Sequence, residues 1–199
     1  MKTYLKQLFD YEKNFAPRDK KSHKKIVLTV SGQAGTGKTT VADILAKNFH
    51  LKIYNVGDKQ RSFATRKKIS LSKASEIIPS SLDLSADRQT LSLAIKGGYV
   101  LVGRLAGWAA GDFADCRILV TCPQILRAKR LTKRENVSFG HALKMVKMRD
   151  QADRLRYLRL YGIDFLKKNI YNVIINNRYS SIKEFESAVL DQVKKYFKN

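Results

Sequence analysis

The sequence predicts an α/β protein: a five-stranded parallel sheet with helices on both faces, carrying a helical substrate-binding insert and a short lid. Three observations predict it. The stretch Gly32-Gln33-Ala34-Gly35-Thr36-Gly37-Lys38-Thr39 fits the phosphate-binding pattern G-x-x-x-x-G-K-[ST] at every fixed position. Its setting agrees. Residues 26–30 (IVLTV) read as a buried strand before it and residues 40–46 as a helix after it, whose positive N-terminal end faces the loop. Finally, further short apolar runs recur along the chain with helical segments between them. Strands alternating with helices form a parallel sheet covered on both faces, with right-handed crossovers.

The elements follow in order. Residues 1–25 are a basic N-terminal extension. Leu5, Leu8 and Phe9 share one helix face, and residues 17–25 read as a basic linker. A short helix that packs on the domain or frays is expected there, with a nucleic-acid or partner arm as the alternative. Asp10 and Glu12 argue against a targeting peptide, because such segments are poor in acids. The domain proper spans residues 26–199. Residues 51–56 are the second strand, ended by Gly57-Asp58. Residues 58–96 look helical and polar, broken at Ile78-Pro79-Ser80-Ser81, and this is more helix than a plain crossover needs. They are expected to form the insert. Residues 99–102, 117–121 and 171–176 supply the remaining strands. In the last helix, Ser181-Ile182-Lys183-Glu184 is a capping box, and Ile182, Phe185, Val189, Val193 and Phe197 form one apolar stripe assigned to packing. Ligands in such sheets bind beyond the carboxyl ends of the strands, so residues 32–39, 57–61, 103–108 and those after Thr121 should converge on one cleft.

Composition sets the class. With 199 residues and 44% hydrophobic content, the chain is long enough for one globular domain with a sizeable core. Its apolar runs are too short to cross a bilayer, and no secretory leader follows Met1. Cys116 and Cys122 lack metal-ligand spacing and read as reduced thiols of a cytoplasmic protein. Lys and Arg total 39 against 17 Asp and Glu, a net charge of +22. That excess is larger than one anionic cleft needs. It suits a solvated lysine surface, steering of polyanionic nucleotides, or contact with nucleic acid.

Two clusters carry the chemistry. In the first, Gly32, Gln33, Ala34, Gly35, Thr36, Gly37, Lys38, Thr39 and Thr40 are the candidate ATP-binding residues. Lys38 is placed to reach the β- and γ-phosphates, and the Thr39 hydroxyl suits Mg²⁺, which takes hard oxygen ligands. In the second, seven arginines fall within residues 127–159. Arg149, Asp153 and Arg156 are spaced i, i+4, i+7, on one helix face. Two guanidiniums flanking a carboxylate can hold a phosphate and accept from a sugar hydroxyl or a base amine. Residues 127–140, with Arg127 and Arg130 one turn apart and Asn136-Val137-Ser138 as a hinge, read as the lid.

Gly103-Arg104-Leu105-Ala106-Gly107-Trp108, Arg156-Tyr157 and Tyr161-Gly162-Ile163-Asp164, together with the order of all the motifs over residues 26–180, resemble the cytidylate kinase family in its archaeal-type form. The resemblance implies a P-loop nucleoside monophosphate kinase that moves the γ-phosphate of ATP to CMP or dCMP with Mg²⁺. It implies Lys38, Arg104, Arg149 and Arg130 as catalytic, Thr39 as the metal ligand, and Arg61, Arg88, Arg104, Arg149, Asp153 and Arg156 as acceptor-binding. A monomer is expected. The chain departs from the family where an acid would stand directly before Gly-Arg: it has Val102, with Asp58 near the same strand ends as a partial substitute. Leu84 and Ala86 stand where the insert often carries further acids, and Trp108 reads as packing. Two alternatives stay open: a small-metabolite kinase on the same fold, and a catalytically weak ATP-binding protein that associates with RNA or a ribosomal particle.

Overall fold

A computed structural model describes residues 25–179 and 181–198; all of the N-terminal extension except Lys25 lies outside them. Five strands, β1 (Val27–Ser31), β2 (Lys52–Asn55), β3 (Tyr99–Val102), β4 (Cys116–Thr121) and β5 (Val173–Asn176), form one sheet in the order β2-β3-β1-β4-β5. Every pairing is parallel. Eight α-helices accompany them among the described residues: α1 (Lys38–Phe49), α2 (Val56–Arg66), α3 (Leu71–Ile77), α4 (Ser80–Lys96), α5 (Ala106–Ala110), α6 (Gln124–Glu135), α7 (Phe139–Tyr161) and α8 (Ile182–Lys198).

The alternation of strand side chains sorts the core into two layers. Leu28 and Val30 point to one face, with Val100, Ile118 and Ile175, and are covered by Val41 and Leu45 of α1 and Phe185, Val189 and Val193 of α8. Val27 and Leu101 point to the other, with Leu91 and Ala94 of α4 and Ala106 and Ala110 of α5. A run of apolar residues, not an alternating one, is what a strand covered on both faces requires.

β1 is central, flanked by β3 on one side and β4 on the other, and the chain runs out to β2, back to β3 and then across to β4 and β5. The crevice at its carboxyl end is the expected ligand position in such a sheet. The predicted insert becomes α2, α3 and α4. Asn55 accepts from the Gly57 N–H at 3.0 Å to start α2, and Ser70 accepts from the Lys73 N–H at 3.2 Å to start α3. α4 is only half insert, since its last turns pack beneath the sheet. The segment read as a lid is a packed helical hairpin. Ala128 and Leu131 of α6 meet Ala142 and Val146 of α7, and Asn136 takes a left-handed conformation between them. In α8, Ser181 accepts from the Glu184 N–H at 3.2 Å, as a capping box requires. The apolar stripe is not wholly packing: Ile182 is 74% exposed, because it sits in the first turn at the lip of the cleft.

Candidate active site

The loop between β1 and α1 turns tightly at the carboxyl end of the central strand. Gly35 and Gly37 both have left-handed φ angles, 77° and 95°. At Gly37 the requirement is also steric, since a Cβ there would run into the Asn177 amide. The loop's carbonyls are taken up by side chains. Lys38 donates to the Gln33 carbonyl at 2.7 Å, and Thr36 to the same oxygen at 3.0 Å. Arg127 donates to the Ala34 carbonyl at 3.2 Å, and Asn177 to the Thr36 carbonyl at 2.9 Å.

This loop forms one wall of a cavity of about 500 Å³. Ala34, Gly35, Gly37, Lys38, Thr39 and Thr40 line that wall, and Arg61, Arg104, Arg130, Arg134 and Arg149 are among the residues that line the rest. Segments distant in sequence thus meet as the strand-end rule expects. Gly32, Gln33 and Thr36 shape the loop from behind. Arg88, Asp153 and Arg156 do not line the cavity.

Six cations around one hollow, Lys38, Arg61, Arg104, Arg130, Arg134 and Arg149, leave a strongly positive site. Burial, then the neighbouring Arg104 and Arg149 guanidiniums, pushes Lys38 well below the usual lysine range, with Asp153 pulling the other way. Burial and Arg104 lower Arg149 to about 10. Among the described residues Arg149 has no carboxylate partner, and its Nε is buried without an acceptor. Like charges so close together repel, and an anion held among them would relieve that repulsion.

The other arginines are already engaged. Arg104 is 8% exposed; its Nε pairs with Asp153 and its Nη1 donates to Gln60 at 2.7 Å. Arg156 fastens the insert to α7: it donates to the Ser75 carbonyl at 2.6 Å, pairs with Asp83 at 3.2 Å and Asp153 at 3.3 Å, and meets the Tyr157 hydroxyl at 3.0 Å. Arg61 pairs with Asp58 at an exposed surface, and Asp58 lines a separate open groove, so it does not stand in for an acid beside the phosphates. Arg127 is buried against Asp150, with contacts of 2.8 and 2.6 Å, and supports the loop from beneath.

Sequence reasoning missed Gln60, Asp83, Asp87, Asp150 and Asn177. Each is polar and buried or nearly so, yet none belongs to a recurrent local pattern. Asp87 accepts from the Tyr161 hydroxyl at 2.6 Å. Burial pushes Asp87 up to about 7, against the pull of that hydrogen bond, and Asp83 up to about 6, against Arg156 and Arg104. Trp108 packs on the cluster of Leu105, Tyr157, Leu160, Tyr161 and Phe165. The Gly107 N–H donates to Ser31 at 2.9 Å, and a Cβ on Gly107 would come within 2.9 Å of the Tyr171 ring. The glycine is what lets the segment after β3 close against β1.

A family model described as cytidylate kinase-like matches residues 27–179. This chain belongs to the cytidylate kinase-like family. A cytidylate kinase of Staphylothermus marinus is 32% identical over 175 residues, 87% of this chain and 99% of that protein. One from Pyrococcus horikoshii is 40% identical over 155 residues, 76% of this chain and 80% of the relative. Among solved structures, a gluconokinase from Sinorhizobium meliloti superposes with a TM-score of 0.57 at 11% identity, covering 87% of this chain and 97% of that one. A shikimate kinase from Acinetobacter baumannii does so at 0.54 and 12%, covering 89% and 98%. At those identities the likeness is one of fold, shared by P-loop kinases with quite different acceptors. Membership of the family makes the chain an ATP-dependent kinase. Among the described residues no helix is long and apolar enough to cross a membrane.

Proposed function

We propose that this cytidylate kinase-like protein transfers the γ-phosphate of ATP to CMP or dCMP. The observation that carries the reading is the single cavity in which Lys38 and the glycine loop face Arg104 and Arg149. In the transfer, an acceptor phosphate oxygen attacks Pγ in line. The new O–P bond forms as the bond from Pγ to the β-bridging oxygen breaks, and ADP leaves with that electron pair. Gly35 and Gly37 direct their amides at the donor phosphates. Lys38 and Arg130 hold the donor's charge, while Arg104 and Arg149 bring the acceptor phosphate to it. Arg61 closes the acceptor end once a phosphate competes with Asp58. Gln60 and Tyr157 line the acceptor wall and carry the donor and acceptor atoms that a pyrimidine edge needs. Asp153 acts on the acceptor through Arg104 and Arg156.

Mg²⁺ fits this site with one protein ligand, the Thr39 hydroxyl. Val102 at the end of β3 is apolar, and the described residues contain no cluster of three metal-ligating side chains. Mg²⁺ keeps several waters and binds chiefly through substrate phosphates, so such a sparse donor set suffices. When bound it screens the charge on the β- and γ-oxygens. A coupled ADP-release assay at fixed salt, over CMP, dCMP, UMP, AMP and GMP, tests the proposal. Turnover is expected with CMP or dCMP; silence with every monophosphate, accompanied by tight, salt-sensitive RNA binding, would falsify it and favour the RNA-associated alternative.

A further inference from the structure

The described surface that faces the P-loop from β5 holds a residue with no assigned role. Asn177 follows the last strand and is 4% exposed. Its two amide atoms have different partners. Nδ2 donates to the Thr36 carbonyl at 2.9 Å, and Oδ1 accepts from Arg130 Nη2 at 3.1 Å. The backbone N–H of Asn177 donates to the Thr121 carbonyl at 2.8 Å, which anchors the residue to the end of β4.

In a trans peptide the carbonyl of one residue and the amide of the next point in opposite directions. Fixing the Thr36 carbonyl therefore fixes the direction of the Gly37 N–H, one of the donors of the phosphate loop. Gly37 has left-handed φ and no side chain, so its own conformational preferences do little to hold that plane. The other arm of Asn177 acts on Arg130, whose Nη1 also lies 3.5 Å from the Gly35 carbonyl. Arg130 stands in a field of like charges, and the neutral Asn177 oxygen gives it an acceptor without cancelling its charge. An aspartate in the same place would neutralise the cation that a phosphate needs.

We propose that Asn177 is a positioning residue for the ATP phosphates, orienting the Gly37 amide and the Arg130 guanidinium together through one side-chain amide. The inference deepens the kinase reading and rests on it for the identity of the anion. Its central test needs no acceptor, so its failure is separable from failure of the CMP assignment.

The experiment compares wild type, Asn177→Ala, Arg130→Ala and the double variant, measuring the Kd of a non-hydrolysable ATP analogue with Mg²⁺ by calorimetry. Thermal unfolding of the same four proteins is followed without ligand. Asn177→Ala is expected to weaken binding about tenfold, the order of one charge-linked hydrogen bond. In the Arg130→Ala background the same change should cost only about threefold, because one arm has already been removed. Asn177→Asp keeps the acceptor and loses the donor, and is expected to bind the analogue no better than Asn177→Ala. Equal costs of Asn177→Ala in both backgrounds would overturn the proposal. So would a lowered unfolding temperature with unchanged affinity, which is the mark of a purely structural role.

Discussion

The two walls of the cleft are built on opposite plans. The wall proposed for the donor is one contiguous loop that offers backbone amides and Lys38, joined by Arg130 from α6, and among the described residues no carboxylate lines it. The wall proposed for the acceptor is assembled from α2, the end of β3 and α7, and carboxylates stand behind its lining: Asp153 pairs with Arg104, and deeper still Arg156 pairs with Asp83 and Asp153. The difference follows from what each wall must hold. A triphosphate wants cations and amides alone. A nucleoside with one phosphate presents both an anion and neutral polar edges, and arginines already tied to carboxylates are rigid supports for such a ligand. Arg149 is the exception on that wall, being unpaired among the described residues. On the proposed reading it is the acceptor-side cation with charge to spare.

This contrast can be broken in several ways. Lys38→Ala should have the largest effect, lowering kcat about 10³-fold in the ADP-release assay while circular dichroism stays unchanged, because it removes a charge that acts on the moving phosphoryl group. A loss confined to KM would remove Lys38 from the transition state. Next, Arg149→Ala and Arg156→Ala should part company. Arg149→Ala should raise the acceptor's KM by about 30-fold, from a charge-assisted hydrogen bond of about 2 kcal/mol, and leave thermal stability equal or higher. Arg156→Ala should destabilise the fold by about 3 kcal/mol, since it strands buried Asp83 without its partner. If both variants changed only KM, the division between a phosphate ligand and a structural clasp would fail.

The smallest expected effect concerns pH. Asp83 and Asp87 hold protons more tightly in the fold than an ordinary carboxyl does, near pH 6 and 7. Folding therefore takes up protons between the usual carboxylate range and pH 7, and the ligand-free protein should lose stability as pH rises through that window. Asp87→Asn keeps an acceptor for the Tyr161 hydroxyl and should flatten this decline by a few degrees in unfolding temperature between pH 5 and 8. An identical slope in both proteins would show that Asp87 is ionised throughout.

Much of the molecule was legible in the linear order of residues. All five strands stand within a residue or two of their expected places; the central three are apolar runs because both their faces are covered, whereas the edge strands β2 and β5 keep exposed residues. The P-loop could be read because its function is carried by consecutive backbone units and a fixed Lys-Thr that follows them. Arg149, Asp153 and Arg156 could be placed on one helix face from spacing alone. Which of them stayed free could not, for pairing depends on Asp83 and Ser75 arriving from the insert.

The same limit explains the hairpin at residues 124–161. A row of arginines looks the same in a chain whether it waits for ATP or is buried, and only packing against Asp150 and the Ala34 carbonyl made Arg127 a support. By itself, then, the sequence determined the sheet, the phosphate loop and the kind of charge the cleft would carry, because those follow from local periodicity and near-neighbour spacing. Only the tertiary structure decided which cations pair with carboxylates, which of those lining the cavity stay unpaired, and that Asn177 lies against Gly37. Electrostatic pairing is settled by distances between side chains that lie tens of residues apart along the chain, and no local pattern encodes them.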